Sequence, residues 1–97
     1  MKIEVYQKGG LIGDKIKIKD LNDTSLNESQ VNELKSLIQK TDFFNLNYDQ
    51  TDKNVIGADL LTYEIVLDDK GKKSIVQLTK TDKNTALDQF LSTLLTA

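Results

Sequence analysis

Carboxylate side chains in this chain could support acid–base chemistry, and three aspartates stand out by position. Paired carboxylates act as acid and base when a cleft holds them about 5–9 Å apart. Asp68 and Asp69 fall in a predicted turn, however, and Asp59 begins a predicted strand. We therefore interpret all three as structural residues and assign no catalytic residue.

The residue types that are missing exclude most other chemistry. The sequence contains neither histidine nor cysteine, so it lacks a Ser-His or Cys-His pair and the ligands that zinc and redox metals prefer. All 13 basic residues are lysines, and the net charge is −2. Without arginine the chain cannot bind phosphate in a bidentate manner. Its net negative charge should also repel a nucleic-acid backbone. We expect no metal, no cofactor and no nucleic-acid partner.

A glycine-rich segment near the N-terminus is the first candidate binding site. Glycine lets a backbone approach a partner closely, and Leu11 and Ile12 would form an apolar tip. A phosphate-binding loop is the weaker functional interpretation, because the G-x-x-x-x-G-K-[ST] pattern is absent and a strand follows. A hairpin loop with a bulge is the structural alternative. The candidate residues are Lys8, Gly9, Gly10, Leu11, Ile12 and Gly13.

A polar segment over residues 45–57 is the second candidate. Loops of this length inside a small domain are commonly functional or mobile. Its clustered carboxylates suggest calcium, but no glutamate closes a twelve-residue loop around a central glycine as calcium loops require. A solvated loop and a partner-contact loop both remain open. In the second case the contact residues would be Tyr48, Asp49, Asp52 and Asn54.

Alternating apolar residues predict the strands that position these segments. Residues 2–7 and 14–20 alternate and are joined by the glycine-rich segment, which predicts a hairpin. Residues 61–67 and 74–80 predict a second hairpin, with Gly71 at a left-handed position of its turn.

Two amphipathic helices complete the predicted elements. Residues 26–40 carry an apolar stripe, with Asn27 as N-cap and Gln30 at the capping-box position. Residues 87–95 carry a second stripe, for which Asp82 or Asn84 is the expected cap.

The predicted order β-β-α-β-β-α implies an α+β fold. Strands with one apolar face and helices with one stripe must bury these surfaces against each other. We predict a two-layer sandwich in which a four-stranded, mainly antiparallel sheet carries both helices on one face. The residues expected to point inward are Ile3, Val5, Ile16, Ile18, Leu34, Leu37, Ile38, Phe44, Leu61, Tyr63, Ile65, Val76, Leu78, Leu87, Phe90, Leu91 and Leu94.

Tyr6 has the opposite parity to Ile3 and Val5, so we expect it on the outer face of the sheet with Val66 and Ile75. This open face, or an edge strand, could dock a partner. Tyr63 is expected in the core.

Length and apolar content predict a single domain over residues 1–97. No apolar run suits a signal peptide or a membrane span. We therefore expect a cytoplasmic protein that has no membrane partner and is monomeric when free.

The order of these features resembles the emfourin family, protein inhibitors of protealysin, a thermolysin-like zinc metalloprotease. The opening strand and glycine-rich segment resemble the family's S-G-G-x-x-G loop. Asp42-Phe43-Phe44 resembles its A-D-F-F helix exit, and residues 57–66 resemble its D-x-F-x-Y strand. The final helix matches in place and pattern, so the resemblance covers nearly the whole chain.

The resemblance implies a non-enzymatic inhibitor of thermolysin-like metalloproteases. Given that function, we expect a rigid scaffold that occludes the protease cleft reversibly with residues 8–13, while the polar segment supplies a secondary contact. Leu11 or Ile12 would fill the pocket that takes large aliphatic side chains in such proteases. The alternative is a binding module that docks through its outer sheet face or edge strand and leaves proteolysis unaffected.

Overall fold

The computed structural model describes residues 1–8, 15–51, 62–79 and 85–97. The described chain contains five strands, two α-helices and one 3-10 helix. They are β1 (Lys2–Lys8), β2 (Lys15–Asn22), α1 (Glu28–Thr41), the 3-10 helix (Phe43–Asn45), β3 (Asp49–Gln50), β4 (Thr62–Asp69), β5 (Lys72–Thr79) and α2 (Ala86–Thr96).

One sheet runs through the molecule in the order β2-β1-β4-β5-β3. Its long strands pair antiparallel, and the two-residue β3 pairs parallel with β5. The predicted α+β sandwich is therefore confirmed, with β3 added to the four expected strands. A strand of two residues gives no periodic signal, which is why the polar segment did not reveal it.

The inward faces of the strands and the stripes of both helices form one core, as the alternation predicted. The fully buried centre includes Ile3, Val5, Ile65, Val76 and Phe90. Tyr63 is buried as expected, and Ile18, Ile38 and Leu87 pack at the margin. The other predicted members confirmed as buried are Leu34, Leu37, Leu78, Leu91 and Leu94.

The prediction for Ile16 is wrong, because 61% of its surface is exposed. The step from Val5 to Tyr6 on β1 is matched by a step from Lys19 to Lys17 on β2, so Ile18 is an extra residue in β2. Ile16 pairs with Gln7, which has the inward parity of Ile3 and Val5, so the bulge does not turn Ile16 outward; it is exposed because it lies near the end of the edge strand β2. The bulge changes the parity of the residues that follow it. Leu21 enters the core beside Ile3 instead.

The prediction for Phe44 is also wrong, because its neighbour Phe43 is the core aromatic. Helix α1 ends at Thr41, its C-cap Asp42 has a left-handed backbone (φ 52°), and the 3-10 helix follows at once. This change of direction buries Phe43 completely and leaves 36% of Phe44 exposed. The Phe43 ring meets Phe90 of α2 edge to face, with centroids 5.6 Å apart.

The cap of α1 is confirmed, and the predicted cap of α2 is wrong. Asn27 accepts from the backbone N–H of Gln30, whose side chain accepts from Asn27 in turn. For α2 the cap is Thr85, paired with Asp88, rather than Asp82 or Asn84. Thr85 follows Asn84 directly, and its Thr-x-x-Asp spacing to Asp88 forms a capping box with the same two reciprocal hydrogen bonds as in α1.

The β4–β5 turn is the predicted one. Gly71 has a φ of 83°, and Lys70 before it is also left-handed. Asp68 and Asp69 end β4, which supports their structural interpretation. Leu61 and Asp59 lie outside the described residues.

Candidate functional site

One end of the sheet holds the described residues of the two candidate segments. Strand pairing places Lys15, Lys8, Thr62 and Thr79 in one row across β2, β1, β4 and β5. Strand β1 therefore ends at this end of the sheet with Lys8, and strands β2 and β4 begin there with Lys15 and Thr62. We call this row, together with the side chains of Tyr48, Glu64 and Gln77 beside it, the loop end of the sheet.

Glu64 is the centre of the loop end. It lies on the outer face of β4, and only 5% of its surface is exposed. Its Oε1 accepts from Lys15 Nζ at 2.9 Å, and its Oε2 lies 3.6 Å from Lys8 Nζ. Both strands that border the glycine-rich segment thus place an ammonium group on one carboxylate.

Tyr48 brings the polar segment to the same carboxylate. Its hydroxyl oxygen lies 3.0 Å from Glu64 Oε2 and 3.0 Å from Gln77 Oε1. Lys8 Nζ donates to Gln77 Oε1 at 2.8 Å and reaches the Tyr48 oxygen at 3.5 Å. The Tyr48 carbonyl accepts from the Gln77 backbone, which ties the segment to β5.

The structure therefore brings together described residues from both candidate segments. Lys8 and Tyr48 are in contact, and Asp49 lies beside Gln77 in the β3–β5 pairing. Asp49 Oδ1 accepts from the backbone of Thr51, which shapes the segment locally. The remaining site residues fall outside the described residues, namely Gly9, Gly10, Leu11, Ile12, Gly13, Asp52 and Asn54.

A second polar cluster lies next to the first on the outer face. Tyr6 donates to Glu4 Oε2 at 2.7 Å, and Lys17 Nζ lies 3.2 Å from the same oxygen. Lys15 lies over the Tyr6 ring, with Nζ 4.5 Å from its centroid, and so joins the two clusters. Tyr6 is on the predicted outer face, together with Val66 and Ile75.

The comparisons with known proteins agree with the resemblance seen in the sequence. The emfourin family model matches residues 5–95. The chain belongs to the emfourin family. No curated protein and no solved structure matches it. Membership of this family of inhibitors supports a protease as the partner and argues against an enzymatic role.

The electrostatics of this emfourin-family chain suit a rigid binding surface better than acid catalysis. Burial alone would raise the pKa of Glu64, but hydrogen bonds from Lys15 and Tyr48 outweigh it and hold the pKa below its usual range. The hydrogen bond from Tyr6, followed by that from Lys17, lowers the pKa of Glu4. Both carboxylates are therefore ionised at neutral pH, whereas a general acid needs a raised pKa.

The hydrogen bond to Glu64 raises the pKa of Lys15, so this ammonium also keeps its charge at neutral pH. Within the described ranges, no group of three or more acidic, histidine or cysteine side chains could hold a metal ion. No helix in those ranges is long and apolar enough to cross a membrane.

Glu64, Lys15 and Gln77 are the site residues that sequence reasoning missed in this family member. The available signal was one glutamate within the apolar run Tyr63–Leu67 of β4. Such a glutamate can equally be interpreted as an ordinary solvent-facing residue. Its importance comes from partners distant in sequence, because Lys15 lies 49 residues away and Tyr48 lies 16 away. Those contacts exist only once the sheet order is known.

Proposed function

We propose that this protein is a reversible inhibitor of thermolysin-like zinc metalloproteases that occludes their active-site cleft with the segment between β1 and β2. The family match over residues 5–95 carries the inhibitor assignment. The choice of segment draws support from the loop end, where Lys8 and Tyr48 of the two candidate segments meet.

The proposed mechanism uses a scaffold that is ordered before binding. Ordering a flexible loop during association costs free energy, and a prefolded support reduces that cost. The lysines at both ends of the segment are bonded to Glu64 on the central strand β4. In this proposal the apolar tip, Leu11 and Ile12, enters the pocket for large aliphatic residues, and Tyr48 and Asp49 contact the cleft margin.

Titration of a thermolysin-like protease tests this function directly. Increasing amounts of the inhibitor should progressively abolish cleavage of a fluorogenic peptide. The double variant Leu11→Asp/Ile12→Asp should lose inhibition, because two carboxylates oppose insertion into an apolar pocket. The matched control is Ser36→Asp/Gln39→Asp, on the exposed face of α1, which should inhibit as the wild type does.

A binding module without inhibitory activity is the second candidate. It is favoured by apolar side chains left open to solvent, because Ile75 on the outer face is 39% exposed and Ile16 lies on edge strand β2. If the activity of several thermolysin-like enzymes stays constant at a large molar excess of the protein, this second candidate is favoured.

A further inference from the structure

Glu64 is a charged residue in a place where an apolar one would fit. It lies on the central strand β4, between buried Tyr63 and Ile65, and its own carboxylate is almost inaccessible. Val66, two positions along on the same face, is buried as well. Burying a carboxylate costs free energy that ion pairs often only offset, so an ion pair adds little stability over an apolar residue.

The partners of Glu64 come from three separate parts of the chain. Lys8 ends β1, Lys15 begins β2, and Tyr48 precedes β3. Both carboxylate oxygens are engaged, Oε1 by Lys15 and Oε2 by Lys8 and Tyr48. One side chain thus fixes both ends of the glycine-rich segment relative to the polar segment.

Lys8 and Lys15 would repel each other without this carboxylate. They are cross-strand partners in the β1–β2 register, and like charges directly opposite destabilise a strand pair. The Glu64 carboxylate lies within ion-pair distance of both ammonium groups and compensates the repulsion. Its removal should loosen the end of the hairpin while the helix-covered core keeps its packing.

We propose that Glu64 is a positioning residue for inhibition, which holds Lys8, Lys15 and Tyr48 in one arrangement before the protease is met. This inference rests on the proposed inhibitory function. It predicts that loss of the carboxylate weakens inhibition through the order of the loop end, without removing any residue that contacts the protease.

The variant Glu64→Gln keeps the size of the side chain and removes its charge. We expect its inhibition constant to rise about tenfold, since the loop-end side chains must then be ordered on binding. Amide hydrogen exchange in the free protein should accelerate at Lys8 and Lys15, while Leu34 and Leu91 in the helices keep their protection. Glu33→Gln, an exposed residue of α1, is the matched control and should change neither quantity.

A second variant, Lys15→Gln, separates a positioning role from a general loss of stability. If Glu64 acts through Lys15, the double variant Glu64→Gln/Lys15→Gln should inhibit much better than the product of the two single losses would give. Independent, multiplicative losses would overturn the proposal. If Glu64→Gln does not fold, Lys15→Gln alone must weaken inhibition and accelerate exchange at Lys8, and unchanged values would overturn the proposal.

The outcomes distinguish this inference from the function on which it rests. A wild-type protein that inhibits none of the proteases tested refutes the proposed function. A wild-type protein that inhibits, together with a folded Glu64→Gln variant of equal potency, refutes only the positioning role. The positioning role is supported if Glu64→Gln inhibits more weakly and exchanges faster at Lys8 and Lys15, while the Glu33→Gln control changes neither quantity.

Discussion

The ammonium nitrogen of Lys8 lies 3.5 Å from the hydroxyl oxygen of Tyr48, although the two residues are 40 positions apart in the sequence. This contact joins the end of β1 to the segment that precedes β3. It places Lys8 and Tyr48, one described residue from each segment that carries the proposed protease contacts, at one end of the sheet.

The Tyr48 hydroxyl should matter for inhibition more than for folding. Tyr48→Phe removes the group shared by Glu64 and Gln77 and keeps the ring. We expect unfolding free energy to fall by about 0.5–1.5 kcal/mol, the usual net value of one hydrogen bond. Inhibition of a thermolysin-like protease should weaken several-fold, as measured by titration with a fluorogenic substrate.

Tyr6→Phe is the matched control for this experiment. It removes a tyrosine hydroxyl from the same outer face, but that hydroxyl bonds to Glu4 and not to the Lys8–Tyr48 contact. We expect a similar stability loss and unchanged inhibition. Equal inhibition by Tyr48→Phe and wild type would count against a role for the Tyr48 segment.

The two adjacent phenylalanines should differ sharply in their contribution to stability. Phe43→Ala leaves a cavity beside Phe90 and should lower the unfolding free energy by about 3–5 kcal/mol. Phe44→Ala loses an edge-to-face contact with Phe43 at 6.3 Å and little burial, which is worth about 1 kcal/mol. Urea denaturation of both variants measures the difference, and equal losses would contradict the observed burial.

This pair also shows what the sequence could and could not predict. A period of two places Ile3, Val5, Ile65 and Val76 on one sheet face, because that pattern depends only on local strand geometry. It cannot tell which of two consecutive aromatics is buried after a helix, since this depends on the left-handed backbone at Asp42.

The same limit applies to β2 and to the candidate site. The core position of Leu21 could not be predicted, because a bulge is a property of β1 and β2 together, and the exposure of Ile16 depends on its place near the end of an edge strand. The sequence suggested Lys8 and Tyr48 as separate contact candidates, and their role in binding stays a prediction; neither their mutual contact nor Glu64 could be predicted. Its role depends on contacts that only the strand order creates.

The ion pairs of Glu64 should make stability depend on acid pH. Burial raises the pKa of Glu64, but the hydrogen bonds from Lys15 and Tyr48 lower it further, so the folded-state pKa lies below the ordinary value of 4.5. A carboxylate with a lowered folded pKa contributes stability that is fully present above its unfolded pKa. That contribution is lost as the pH falls through the folded pKa.

The expected signature is a pH-dependent difference between wild type and Glu64→Gln. The difference in unfolding free energy should be largest near neutral pH and should begin to shrink below about pH 4.5, the ordinary value at which the unfolded state binds protons. It should disappear only below the lower folded-state pKa of Glu64, where the folded protein is protonated too and the side chain resembles glutamine. Urea unfolding between about pH 3 and pH 7 measures it. A difference that stays constant over this range would show that the Glu64 charge does not act as described.

Inhibition by occlusion should not depend on competition for zinc. The chain has neither histidine nor cysteine, so it lacks the ligands that would remove the metal from a protease. Zinc added at a concentration matched to that of the inhibitor should therefore leave the inhibition constant unchanged. A protease inactivated by a chelator serves as the positive control, because zinc should restore its activity under the same conditions. Recovery of the protein-inhibited enzyme on zinc addition would indicate metal capture and would contradict occlusion of the cleft.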